Sequence, residues 1–95
     1  MYGKYYYVYI MSNKYNTVYY VGITNTLERR AIEHKWKINK NSFTAKYNIN
    51  KLLYFEDYGN PVDAIAREKQ LKGWRREKKL NLIKKENVEL KDLFE

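Results

Sequence analysis

Glu68 is a carboxylate in an apolar setting. It follows Ala64 by four residues and precedes Leu71 by three, so a helix here carries it on the apolar stripe. A charge on that stripe is costly unless a cation compensates it. Arg30 is similar, three residues after Leu27 and four before His34, near the inner face of an earlier helix. Carboxylates, guanidiniums and imidazoles are the groups that hold cations, grip anions and move protons. Two accounts of Glu68 and Arg30 are equally compatible with their spacing: a site, or a satisfied buried ion pair. Gly22 interrupts a run of β-branched and aromatic residues. A glycine there marks either a β-bulge, the more frequent case, or a close approach by a ligand or another backbone. His34 is the single histidine, and a lone histidine on a helix is more often a structural hydrogen-bonding group than a catalyst. Breaks of local pattern such as these four tend to mark sites.

The elements that must position them can be read from periodicity. Tyr5 to Met11 and Val18 to Thr24 are two strands with period-two order. Tyr6, Val8 and Ile10 share one face of the first, Tyr5, Tyr7, Tyr9 and Met11 the other. In the second, Tyr19, Val21 and Ile23 oppose Tyr20, Gly22 and Thr24. The polar segment Ser12 to Thr17 is the hairpin loop. Pairing the strands gives an aliphatic face, expected to be the core, and a face of phenols and one glycine. Asn25 as N-cap with Glu28 three residues on opens a helix bearing Leu27, Ala31, His34 and Ile38 at helical spacing. Asn39 to Asn50 is polar and basic and reads as a mobile loop, and Leu52 to Tyr58 as a third strand. Asn60, Pro61 and Asp63 form a strong helix start, with Gly73 interrupting that helix near its end. A last helix is expected from Trp74 to about Lys85, and the tail Val88 to Phe94 can pack back as a short helical turn. The order β-β-α-β-α-α predicts an α+β fold, a three-stranded antiparallel sheet covered by helices. One domain over 1–95 is expected, with its core at about 5–83 and a short extension at 84–95.

Charge narrows the partner. The net charge is +8 on 95 residues, which favours a polyanion. Lys35 to Lys51 holds five lysines and no acid, and Arg67 to Lys85 holds nine basic residues against Glu68 and Glu77. Lysine-rich solvated faces are common in any case. Eleven tyrosines against three phenylalanines are harder to place in a core, because a buried phenol needs a partner. Phenols at a wet surface can stack on bases or bond phosphates. There is no cysteine, so disulfides and thiolate metal sites are excluded. The first ten residues lack the layout of a signal peptide, and no apolar run approaches the roughly 18 residues of a membrane span. The expectation is a cytoplasmic protein with no membrane association.

These residues also carry a family resemblance. Tyr7-Val8-Tyr9 followed by Tyr20-Val21-Gly22 resembles the paired motifs of the GIY-YIG nucleases. Arg30, eight residues after Gly22, matches the family's helix arginine, and His34 follows one turn later. Glu68 matches the metal-binding glutamate, and Arg67 to Trp74 looks like the hallmark of the short, stand-alone members. The similarity spans roughly Tyr5 to Ile83. It implies phosphodiester hydrolysis with one divalent ion, Mg²⁺ or Mn²⁺, held by Glu68 with water completing the shell. Arg30 would grip the scissile phosphate. Tyr9 or Tyr20 would orient or deprotonate the attacking water, with His34 as the alternative base. A phenol is a poor base at neutral pH, and positive charge nearby makes it a better one. Some members place an asparagine in the site from the last helix, for which Asn81 is the candidate. DNA would be held by Lys35, Lys37, Lys40, Arg75, Arg76, Lys78 and Lys79. Two other classes compete with an endonuclease: a nucleic-acid-binding module with little or no turnover, and an adaptor for an acidic protein. For the active-site residues to converge, the helix residues must reach the edge of the sheet.

Overall fold

Period-two alternation lays down the sheet in the computed structural model, which describes residues 6–29, 32 and 43–94. Strands β1 (Tyr6–Ser12) and β2 (Tyr19–Thr24) form an antiparallel hairpin with Tyr9 opposite Gly22 and Met11 opposite Tyr20. Asn13 ties the hairpin loop, its Oδ1 accepting the N–H of Thr17 at 2.8 Å and of Val18 at 3.2 Å. Asn16 takes the left-handed conformation, φ 57°, that asparagine tolerates better than most residues. Strand β3 (Lys51–Tyr58) pairs antiparallel with the other side of β1, so the order is β2-β1-β3 and β2 is an edge. The three strands fall within a residue of their expected bounds.

Asn60 caps helix α2 (Pro61–Gly73) as expected, its Oδ1 accepting the Asp63 N–H at 3.0 Å. Here α1 denotes a four-residue helix, Phe43–Lys46, inside the stretch expected to be a mobile loop. For residues 43–50 that expectation is corrected, because Ile49 is fully buried and packs with Tyr9, Met11 and Leu52 of the sheet; residues 39–42 lie outside the described residues. Helix α3 (Arg76–Glu86) starts later than expected. Trp74 does not open it. Its backbone is extended, and its N–H donates to the Leu71 carbonyl at 3.1 Å, closing α2 instead. The first helix has helical backbone at 27–29 and at 32, so Thr26, not Asn25, stands at its cap position. The Thr26 N–H donates to Thr24 Oγ1 at 3.1 Å. Arg30, Ala31, His34, Lys35, Lys37, Ile38 and Lys40 lie outside the described residues.

Both faces of the sheet carry buried residues, the face of phenols and one glycine as well as the aliphatic one. Val8, Ile10 and Val21 pack with Ala64 and Leu71 of α2 and Ile83 of α3, the expected aliphatic core. Fully buried Leu71 and Ile83 each contribute about 1.5–3 kcal/mol. Tyr9 and Met11 on the opposite face join Leu52 and Ile49, with Tyr20, Val18, Leu27 and Phe94 against them. Segments distant in sequence supply that second cover, which strand periodicity cannot show. A bulge in β3 feeds both clusters: Ile10 faces Tyr54 while Met11 faces Leu52, leaving Leu53 as the extra residue. Leu53 and Tyr54 therefore join the first cluster and Leu52 the second.

The tail returns to the core as an irregular strap rather than a turn of helix. The Leu93 N–H donates to the Leu52 carbonyl at 2.8 Å, and Asp92 Oδ1 accepts from Leu52 and Phe94 at 3.1 and 3.0 Å. It thereby satisfies part of the free edge of β3.

Candidate active site

Because β2 is an edge strand, its side chains can meet helix residues that come over the rim. Helix α2 crosses the aliphatic face with Ala64 and Leu71 buried beneath it. Arg67 and Glu68 lie between them and splay apart. Arg67 turns to β3, where Glu56 takes it in a bidentate pair with both N···O distances 2.9 Å. Glu68 turns the other way and pairs with Lys72 one turn on, Nζ to Oε2 at 2.7 Å. The Glu68 side chain is 14% exposed and that of Lys72 55%. The compensating cation seen for the carboxylate is thus Lys72, whereas Arg30 lies outside the described residues. The bond to Glu68 outweighs burial and, with the charge of Glu68 and the nearby Tyr20 phenol, holds the Lys72 ammonium above its ordinary pKa.

Tyr20 stands beside this pair. With Tyr19, Val21, Lys72 and Lys79 it lines a shallow concavity of about 290 Å³. Tyr9 is behind it, ring centroids 6.2 Å apart with planes tilted by 44°. The two phenols differ in access: Tyr9 is only 2% exposed, while Tyr20 is half-buried. Gly22 is explained by the same arrangement. A Cβ there would run into Cζ and Oη of Tyr9, so the close approach is made by a neighbouring side chain. The bulge of this sheet is in β3.

Arg75, Arg76, Lys78 and Lys79 follow at the start of α3, and two of them cover aromatic rings. Arg76 lies over Tyr19 at 5.5 Å, and Lys78 over Trp74 at 4.3 Å. Burial pulls the Lys79 ammonium below its ordinary pKa. Asn81 lines a separate depression with Gly73, Trp74, Arg75, Glu77 and Lys78, and not the one beside Tyr20.

Sequence reasoning missed two features. Lys72 was legible as a lysine four residues after a glutamate, a helical pair in its favourable direction. The Glu56 cluster was less so. Tyr54 and Tyr58 donate their hydroxyls to its two oxygens at 2.5 and 2.6 Å, which spends part of the tyrosine surplus on internal bonding rather than on a wet surface.

Among the described residues, no three carboxylate, imidazole or thiolate groups gather to hold a metal ion. The oxygen donors available are the Glu68 carboxylate and nearby phenols. That set fits a hard divalent ion that keeps most of its water, and not a cage-bound or soft metal. No helix among the described residues is long and apolar enough to cross a membrane.

Residues 5–81 match the family model of the GIY-YIG catalytic domain. The chain is 37% identical over 86 residues to the UPF0213 protein CPE1444 of Clostridium perfringens, a match covering 86% of each chain. It also resembles the solution NMR structure of the UPF0213 protein BH0048 from Bacillus halodurans. The TM-score is 0.58 at 23% identity, covering 93% of this chain and 92% of that one, which speaks for the fold alone.

Proposed function

The chain belongs to the GIY-YIG catalytic-domain family, and from that premise we propose a metal-dependent endonuclease that hydrolyses phosphodiester bonds in DNA. The observation that carries the proposal is that Tyr20 and Lys72 share a concavity at the β2 edge, while Lys72 is itself paired with Glu68. Tyr20 is the phenol placed to orient the attacking water or accept its proton, since its ring borders an open concavity. Tyr9, buried behind it, holds the Tyr20 ring in place. Glu68 is the ligand for one Mg²⁺ or Mn²⁺ ion, which when bound supplies positive charge to the departing oxygen. Lys72 meanwhile places a cation beside both Glu68 and Tyr20. The family resemblance gives Arg30 the phosphate and His34 the alternative base. The patch of Arg75, Arg76, Lys78 and Lys79 supports DNA as the partner, by charge.

A second reading has its own support. Glu68 already has a cation in Lys72, which suits a nucleic-acid-binding module with little turnover.

Incubating the protein with branched, nicked and single-stranded DNA, with and without Mg²⁺ or Mn²⁺, decides between them. Metal-dependent cutting by wild type and none by Glu68→Gln is the expected result. Salt-sensitive binding without any cutting under those conditions would favour the second reading.

A further inference from the structure

Lys79 is a partly buried ammonium on α3, and no carboxylate pairs with it among the described residues. A desolvated cation without a counter-ion is an unfavourable arrangement for stability alone. It shares its concavity with Lys72, Tyr19, Tyr20 and Val21, and no acid contributes to that lining. Arg76 lies over the ring of Tyr19, one of the lining residues, at 5.5 Å. Glu68 on α2 is already engaged by Lys72 at 2.7 Å. Lys72 and Lys79 thus place two ammonium groups on the concavity, which at about 290 Å³ is large enough for a tetrahedral anion.

We infer that the Lys72–Lys79 concavity is a subsite for a backbone phosphodiester of the bound strand, adjacent to the phosphate presented to Tyr20. The inference rests on the nuclease reading only for the word adjacent; the subsite itself requires just a phosphodiester ligand. It separates Lys79 from Arg75 and Lys78, exposed residues that serve general charge attraction. Lys79 would instead fix the register of the strand against Tyr20. As it touches neither the reacting atoms nor the metal ligand, it is a positioning residue.

A coupling experiment tests this with no divalent ion present, so it does not depend on turnover. A short DNA oligonucleotide is made with a neutral methylphosphonate at each linkage in turn. Each version is bound to wild type, Lys79→Met and Lys79→Arg, with thermal melts confirming that the variants fold. Wild type should lose about tenfold in affinity at one linkage beyond the uniform charge effect. Lys79→Met should lose nothing further at that linkage, and Lys79→Arg should retain the penalty. In the presence of metal, Lys79→Met should also scatter the position of cleavage, whereas Arg75→Gln should weaken binding uniformly. Inorganic phosphate should compete with the oligonucleotide more weakly against Lys79→Met than against wild type. Equal penalties at every linkage for wild type and Lys79→Met would overturn the subsite while leaving the nuclease reading intact. Coupling at one linkage in a protein that never cuts would uphold the subsite and defeat the nuclease. Absence of DNA binding by wild type would remove both.

Discussion

At the scale of single residues, Gly22 and Tyr20 carry the sharpest consequences. Gly22 is opposite Tyr9 in the β1–β2 register, and the Tyr9 ring end occupies the space of a Cβ. Tyr9 is itself walled in by Met11, Ile49 and Leu52. Gly22→Ala should therefore destabilise the protein by about 1–3 kcal/mol, the usual cost of overpacking. Denaturant melts of Gly22→Ala, Tyr9→Leu and the double variant check it: the alanine should cost much less where the phenol is gone. Tyr20→Phe keeps the ring and removes only the hydroxyl. Single-turnover cleavage should fall far more than DNA affinity, and unchanged rates would move the base role to Tyr9 or His34. Glu68→Gln belongs with these. Its cation is a half-exposed lysine, so the melting temperature should change little, by an equivalent of less than about 1 kcal/mol.

At the scale of elements, Glu56 and Arg67 fasten α2 to β3. Arg67 also donates Nη1 to Gln70 Oε1 at 2.8 Å, and its guanidinium lies over the Trp74 ring at 5.2 Å. Burial alone would push the Glu56 carboxyl up. The bonds from Arg67, Tyr54 and Tyr58, with the charge of Arg67, outweigh burial and hold it below its ordinary 4.5. A depressed carboxyl contributes stability above its unfolded pKa and loses it as pH falls through the folded value. Wild type should thus weaken progressively in acid below about 4.5. Glu56→Gln should cost about 2 kcal/mol near neutral pH and lose that part of the acid transition. At the alkaline end, burial and Glu56 push the Tyr58 phenol from 10.0 up to about 12. The folded state then keeps a proton that the unfolded chain releases, so stability should fall over that interval. Chemical denaturation across pH, wild type beside Glu56→Gln, measures both limbs.

At the scale of the whole molecule, charge segregates. Arg75, Arg76, Lys78 and Lys79 gather beside Tyr19 and Trp74, next to the concavity at Tyr20. Of the tail's acids, Asp92 is bound to β3 and Glu89 is paired with Lys91. One basic flank should make DNA binding strongly salt-dependent. If those four residues meet phosphates of a duplex, they contribute about −3 to −4 to the slope of log affinity against log salt. Replacing each singly should reduce the slope by about one. A slope near zero would contradict the assignment of this flank to nucleic acid.

Strand alternation, the Asn60-Pro61-Asp63 helix start and the GIY-YIG-like triplets are local patterns, and the sequence by itself determined them. Strand faces follow from a two-residue repeat, and the cap from one side chain reaching a backbone amide three residues on. So did the α+β class, the family and the Glu68 anomaly, each a matter of residue type at short range. Tertiary structure alone decided what covers the phenol face, because Leu27, Ile49 and Phe94 reach it from segments far apart in the chain. It also decided that Leu53 and Tyr54 share a face, since a bulge shifts the register that alternation assumes. That Tyr20 stays open while Tyr9 is buried, and that Lys72 comes beside Tyr20, were likewise outside the reach of spacing. Both depend on β2 being an edge and on α2 crossing above it, and no residue pattern encodes that angle.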